Sequence, residues 1–243
     1  MFVDKNISTE EEKKIRQAFK EKSWSELKGE NSWAVFKIMS EFVEGFEKLS
    51  KIGPCVSIYG SARTQPDNKY YQLAKQIASI LVKKGYGVIT GGGPGIMEAG
   101  NMGAYENGGK SVGVRINLPF EPHNNVYVDR DKLLTFDFFF VRKVMLMKFS
   151  QGFIVMPGGL GTLDELFEAL TLVQTNKVGK FPIILVGKDY WGGLIEWLKS
   201  TVIAQERNMS EKDLELFNVV DTAQESVAII EEFYAKYLLQ PNF

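Results

Sequence analysis

The apolar pattern changes character near residue 50. Across 31–50 (NSWAVFKIMSEFVEGFEKLS), Trp33, Phe36, Met39, Phe42, Val43 and Phe46 recur at helical spacing. That recurrence predicts an amphipathic helix whose stripe packs inside the protein or between subunits. The preceding stretch 8–28 is strongly polar, with Ser8 or Thr9 placed to cap it and acids following, as in an exposed or partner-covering helix. Beyond residue 50 short apolar runs alternate with longer helical patterns. PCVSIYGSAR (54–63), the start of YGVITGGGPGIMEAGNMGAYENG (86–108), SVGVRINLP (111–119), GFIVMPGG (152–159), FPIILVG (181–187) and FNVVD (217–221) read as strands. Helices are predicted at 70–85, 162–177, 189–205 and 222–239, and a short extended piece passes into a helix within 132–150. Several strands are continuously apolar, as strands buried on both faces should be. The alternation predicts an α/β fold, a mostly parallel sheet with helices on both faces, preceded by an N-terminal helical extension. The expected organisation is the extension over 1–50 and one domain over 51–243.

Composition narrows the chemistry. Lys+Arg 29 against Asp+Glu 30 gives a net charge of −1, so nucleic acid is not expected as a partner. The single cysteine, Cys55, excludes an internal disulfide and cysteine-cluster metal sites, and its apolar run marks it as a core thiol. His123, the only histidine, lies in a polar loop, which disfavours a Ser-His-Asp triad. No apolar run approaches the roughly 20 residues of a membrane helix. The N-terminus lacks a signal-peptide core, so a cytoplasmic protein is expected.

The candidate chemistry sits at strand ends. Three glycine turns occur there: Gly60-Ser61, then Gly91-Gly92-Gly93-Pro94-Gly95, then Gly158-Gly159-Leu160-Gly161-Thr162. In an open parallel sheet they are expected to converge on one crevice. Neither longer turn completes the dinucleotide fingerprint, and the Walker lysine is absent. What remains is backbone N–H groups at helix N-termini, suited to a monophosphate. Glu165 has two explanations. Thr162 and Glu165 have the spacing of a capping box, while a helix start that serves an external phosphate leaves Glu165 free to face a ligand. Arg142 and Lys143, at the head of an apolar helix, need an anion, either an internal acid such as Asp137 or Glu165, or a ligand phosphate.

GGGPGIMEAGNMGA (91–104), FFFVRKVML (138–146) and PGGLGTLDELFEALTLVQ (157–174) together resemble the Lonely Guy family. Pro157 to Glu165 match its Pro-Gly-Gly-x-Gly-Thr-x-x-Glu signature in full. The resemblance spans about 52–238, with 1–50 resembling the helical extension of longer bacterial members. It implies a Rossmann-like, doubly wound fold. It also implies hydrolysis of the N-glycosidic bond of a nucleoside 5′-monophosphate, a cytokinin riboside monophosphate or AMP, without metal or organic cofactor. Carried over by motif, the catalytic residues are Arg142 and Glu165. Phosphate and ribose contacts fall on Gly158, Gly159, Leu160, Gly161 and Thr162, with Lys143 and Thr171 nearby. Gly60, Ser61, Gly91, Gly92 and Gly93 would line the crevice. Glu121 is the candidate for an acidic ligand contact in the loop before the arginine. The implied partners are a small nucleotide and a second copy of the chain, as a homodimer or larger even assembly, with no membrane. Two rivals stay open: a non-catalytic nucleotide-binding or carrier module, and a pyridoxal-phosphate lysine decarboxylase using Lys143.

Overall fold

The structure, a computed structural model, describes residues 24–118 and 125–237. Most of the predicted 8–28 helix, and both Glu121 and His123, lie outside the described residues. Helix α1 spans Trp24–Leu49, and the chain divides within it into two compact units, 1–40 and 41–243. In the first unit the Trp33 and Phe36 rings lie 6.1 Å apart, and both side chains are exposed, as is Met39.

The second unit is the α/β domain. Its elements are β1 (Cys55–Tyr59), α2 (Lys69–Lys83), β2 (Gly87–Thr90), α3 (Ile96–Glu106), β3 (Ser111–Ile116), β4 (Leu133–Phe136) and α4 (Phe139–Lys148). They continue through β5 (Phe153–Val155), α5 (Leu160–Gln174), β6 (Ile183–Val186), α6 (Lys188–Trp197), β7 (Asn218–Val220) and α7 (Ala223–Tyr234). The seven strands form one wholly parallel sheet in the order β4-β3-β2-β1-β5-β6-β7. The short extended piece before α4 is therefore a true edge strand. The helix expected over 189–205 changes winding partway, continuing as a π-helix over Leu198–Gln205.

Why this sequence builds this sheet follows from burial. Every residue of β1, β2, β5 and β6 is buried, so their runs are apolar without alternation. Val56, Ile58, Ile154 and Ile184 pack with Tyr71, Ile77 and Leu81 of α2, Ile96 of α3 and Val227 and Ile230 of α7. Right-handed crossovers put α2 and α3 on one face and the connections after β4 on the other. A Cβ at Gly103 would lie 2.2 Å from the Lys75 carbonyl oxygen, so only glycine permits the close approach of α3 to α2. Cys55 is fully buried, and burial pushes its thiol up to about 12, consistent with a packing role.

The order reverses between β1 and β5. Consecutive strands run outward from β1 to β4, then the chain crosses back to start the other half at β5. That switch point opens a crevice beyond the carboxyl ends of β1 and β5, where all three glycine turns are found.

Candidate active site

The turns are bolted together by backbone hydrogen bonds. The Ser61 N–H donates to the Pro157 carbonyl at 3.0 Å, and the Ile96 N–H donates to the Ser61 carbonyl at 3.0 Å. The middle turn depends on Gly95, whose φ of +67° and contact with the Ser61 carbonyl exclude a side chain. Behind it lies a buried polar network. The Thr90 hydroxyl donates to Asn101 Oδ1 (2.5 Å) and accepts the Gly92 N–H (2.9 Å), while the Asn125 amide donates to the Gly93 carbonyl (3.3 Å). Gly91 reaches the cavity, whereas Gly92 and Gly93 are buried parts of its supporting wall.

Helix α5 starts three residues earlier than the Thr162 cap would require. Its N-cap is Gly159, without any side-chain cap, and the Thr162 and Leu163 N–H groups bond the Gly159 carbonyl at 3.0 Å. Thr162 and Glu165 therefore form no capping box. Leu160 and Gly161, whose N–H groups precede those bonds, line the cavity with Gly158 and Thr162. Donors at an uncapped helix start favour an anion there.

Released from capping, Glu165 is 4% exposed and borders the cavity. Arg142 Nη2 stands 3.4 Å from its Oε1, giving a long ion pair. Burial raises the Glu165 pKa to about 7, against the opposing pull of Arg142 and Lys143. Arg142 is held over the Phe139 ring, 5.2 Å from its centroid, and its buried Nε has no hydrogen-bond partner among the described residues. An unspent buried donor in a cleft is suited to a ligand acceptor. The start of α4 is set by Glu41 from α1, which accepts the Asp137 N–H at 2.7 Å and the Phe138 N–H at 3.4 Å.

The structure does not bring every expected residue to this cavity. Lys143 bonds Glu168 at 2.6 Å and Asp164 at 2.9 Å, and is not among the lining residues. Burial would lower its pKa, but the bonds to Glu168 and Asp164 outweigh that and raise it. Thr171 donates to the Phe167 carbonyl at 2.7 Å and also stands apart from the cavity. Among the described residues no group of three or more His, Cys, Asp or Glu side chains is placed to hold a metal ion.

The cavity, about 970 Å³, runs across the carboxyl ends of the strands. Met97, Ile116, Leu118 and Phe139 make one end apolar, while Arg63, Thr64, Tyr70 and Tyr190 make the other polar. Tyr190 also braces the Gly158 turn, its hydroxyl donating to the Gly158 carbonyl at 2.6 Å. Arg63 and Tyr190 are not among the residues expected from the sequence. Arg63 follows Gly60-Ser61 directly, and that adjacency was the available signal. Tyr190 had no signal, because its contact joins two separate strand ends.

A family model described as "possible lysine decarboxylase" matches residues 97–230, more than half the chain. A cytokinin riboside 5′-monophosphate phosphoribohydrolase from Mycobacterium tuberculosis is 33% identical over 165 residues, covering 64% of this chain and 82% of that protein. The chain belongs to the Lonely Guy family. The rice relative named cytokinin riboside 5′-monophosphate phosphoribohydrolase LOG is 27% identical over 193 residues, covering 79% of this chain and 78% of its own. Among solved structures, the molybdenum cofactor binding protein of Rippkaea orientalis has a TM-score of 0.55 at 20% identity, covering 74% of this chain and 97% of that one. The molybdenum cofactor carrier protein of Chlamydomonas reinhardtii has a TM-score of 0.54 at 21% identity, covering 76% and 99% respectively. At such identity these two establish the shared Rossmann-like fold. The Lonely Guy family thus shares its scaffold with carriers, and activity has to be argued from the site.

Proposed function

We propose that this chain hydrolyses the N-glycosidic bond of a nucleoside 5′-monophosphate, releasing free base and ribose 5-phosphate. The observation that carries this is a buried carboxylate, Glu165, sharing one cavity with an uncapped helix start. The α5 N-terminus and the Gly60-Ser61 turn hold the phosphate, and the apolar end receives the base. The ribose then lies between them, against Glu165.

The chemistry follows from that placement. As the C1′–N bond breaks, its electron pair leaves with the base and positive charge builds on the ribose ring. The Glu165 carboxylate stabilises that charge. Water adds at C1′ and gives up its proton to Glu165 or to solvent, while the departing base nitrogen gains one. Arg142 holds Glu165 in place and has a free Nε for the substrate. Much of the acceleration comes from fixing the ribose by its phosphate.

A raised Glu165 pKa sets the pH dependence. With the carboxylate required in its ionised form, kcat/KM is expected to rise through about pH 7 and level off above it. The substrate phosphate ionises lower, with a second pKa of about 6, so the two limbs are separable. A flat profile between pH 6 and 9 would contradict this assignment.

The Lys143 ion pairs also weigh against a pyridoxal-phosphate lysine decarboxylase, because the only lysine proposed for the Schiff base is spent on Asp164 and Glu168. The rim of the cavity bears exposed apolar groups, Leu160 at 85% and Phe139 at 50%. A second copy covering that rim fits the family resemblance. Sedimentation equilibrium at micromolar concentration is expected to give a dimer or larger even assembly, and a monomer would count against it. A panel of purine and pyrimidine monophosphates tests the substrate class, with purine monophosphates expected to release free base.

A further inference from the structure

The cavity has a direction. From β3 to β6 it passes five strand ends, roughly 19 Å at the usual spacing of parallel strands. Ile116 and Leu118 close the β3 end, Gly91 follows at β2, and the glycine turns of β1 and β5 come next. Arg63, Thr64, Tyr70 and Tyr190 lie on the β1–β6 side. A phosphate on the glycine turns therefore has backbone N–H groups on one side and this polar end on the other.

The charges there do not balance without a ligand. Among the described residues, three charged side chains line the cavity: Arg142, Glu165 and Arg63. Arg142 faces Glu165, and Lys143 is consumed by Asp164 and Glu168. Tyr190 spends its hydroxyl on Gly158, and an Asn68 side chain at the same end caps α2 by accepting the Tyr70 N–H at 2.9 Å. The Arg63 guanidinium pairs with no carboxylate among the described residues. Its backbone is nonetheless anchored. The Arg63 N–H donates to Ser61 Oγ at 3.1 Å, its carbonyl accepts the Gln65 amide at 3.1 Å, and Ser61 is tied to both neighbouring turns. An uncommitted arginine fork on a fixed stem beside a row of free N–H groups is built to grip a phosphate dianion.

We infer that Arg63 binds the outer oxygens of the 5′-phosphate and sets the preference for nucleotides over phosphate-free nucleosides. The inference rests on the phosphate orientation proposed above and adds a positioning residue to it. Binding of ribose 5-phosphate, measured by titration calorimetry on the intact chain, tests it without needing turnover. Arg63→Ala is expected to weaken that binding about 10–100-fold, the usual cost of a charged hydrogen bond to an anion. Arg63→Lys, which keeps the charge and loses the fork, is expected to fall between. The side chain is exposed, so Tm should stay within about 2 °C of the native value. With a nucleoside monophosphate, KM should rise by a similar factor while kcat stays within a few-fold. Equal ribose 5-phosphate binding by the native protein and Arg63→Ala overturns the inference, even if base release is observed. So does failure of the native protein to bind ribose 5-phosphate. Lost binding in Arg63→Ala with no base released from any monophosphate supports the phosphate subsite while removing the hydrolase assignment.

Discussion

Glu165→Gln is expected to lower turnover of the preferred nucleoside monophosphate by about 10²–10⁴-fold, the range for a group that transfers a proton or meets charge in the transition state. Glutamine keeps the shape and can still accept from Arg142 Nη2, so substrate binding should change little. Stability separates this role from a structural one. Because burial raises the Glu165 pKa to about 7 in the folded state, the native chain holds its proton longer than the unfolded chain does. The carboxylate therefore costs stability progressively as pH rises from about 4.5 through 7, and its protonated form is the favourable one. Glu165→Gln should match the native Tm near pH 5 and equal or exceed it at pH 8. A large loss of Tm at both pH values would mark Glu165 as a structural residue.

The second large effect concerns the glycine turns. Gly95→Ala should destabilise the fold by about 3 kcal/mol or more, combining the positive-φ cost with a backbone clash. Its Cβ would lie 2.4 Å from the Ser61 carbonyl oxygen and 2.7 Å from the Ala62 carbonyl carbon. Thermal unfolding should show a fall of roughly 6–12 °C, given 2–4 °C per kcal/mol for a chain of this size. Gly161→Ala provides the contrast. Nothing lies within 4 Å of a Cβ there, and alanine in a helix should hold or slightly raise Tm. Since Gly161 lines the phosphate end, its methyl group should instead weaken ribose 5-phosphate binding. Loss of binding in one variant and loss of folding in the other would divide the turns into ligand-facing and supporting parts. Equal melting of both would contradict that division.

Much of this architecture was legible because burial on both faces of the sheet leaves continuous apolar runs. The runs at 54–63 and 152–159 became β1 and β5, each with a glycine turn at its carboxyl end, and the run at 181–187 became β6. The switch between β1 and β5 explains why turns from distant parts of the chain meet. What the sequence left open was decided by contacts between elements. Thr162 and Glu165 had capping-box spacing, but the helix begins at Leu160, which moves both residues three positions further into the helix. Lys143 looked like a ligand cation because Asp164 and Glu168, four residues apart on α5, meet it only once α4 and α5 pack. The α1 stripe was correctly periodic, yet periodicity identifies a face without saying what covers it. Trp33, Phe36, Met39 and Val43 remain exposed in the single chain.

A cavity that breaks a glycosidic bond differs in its products from one that merely holds a nucleotide. The most direct measurement is chromatography of AMP and an N6-isoprenylated adenosine monophosphate after incubation with the purified native chain and with Glu165→Gln. The expected result is free base and ribose 5-phosphate in equal amounts from the native protein, and almost none from the variant. Tight binding of either nucleotide by the native protein, with no base released from any monophosphate, would contradict the account and leave a carrier in its place.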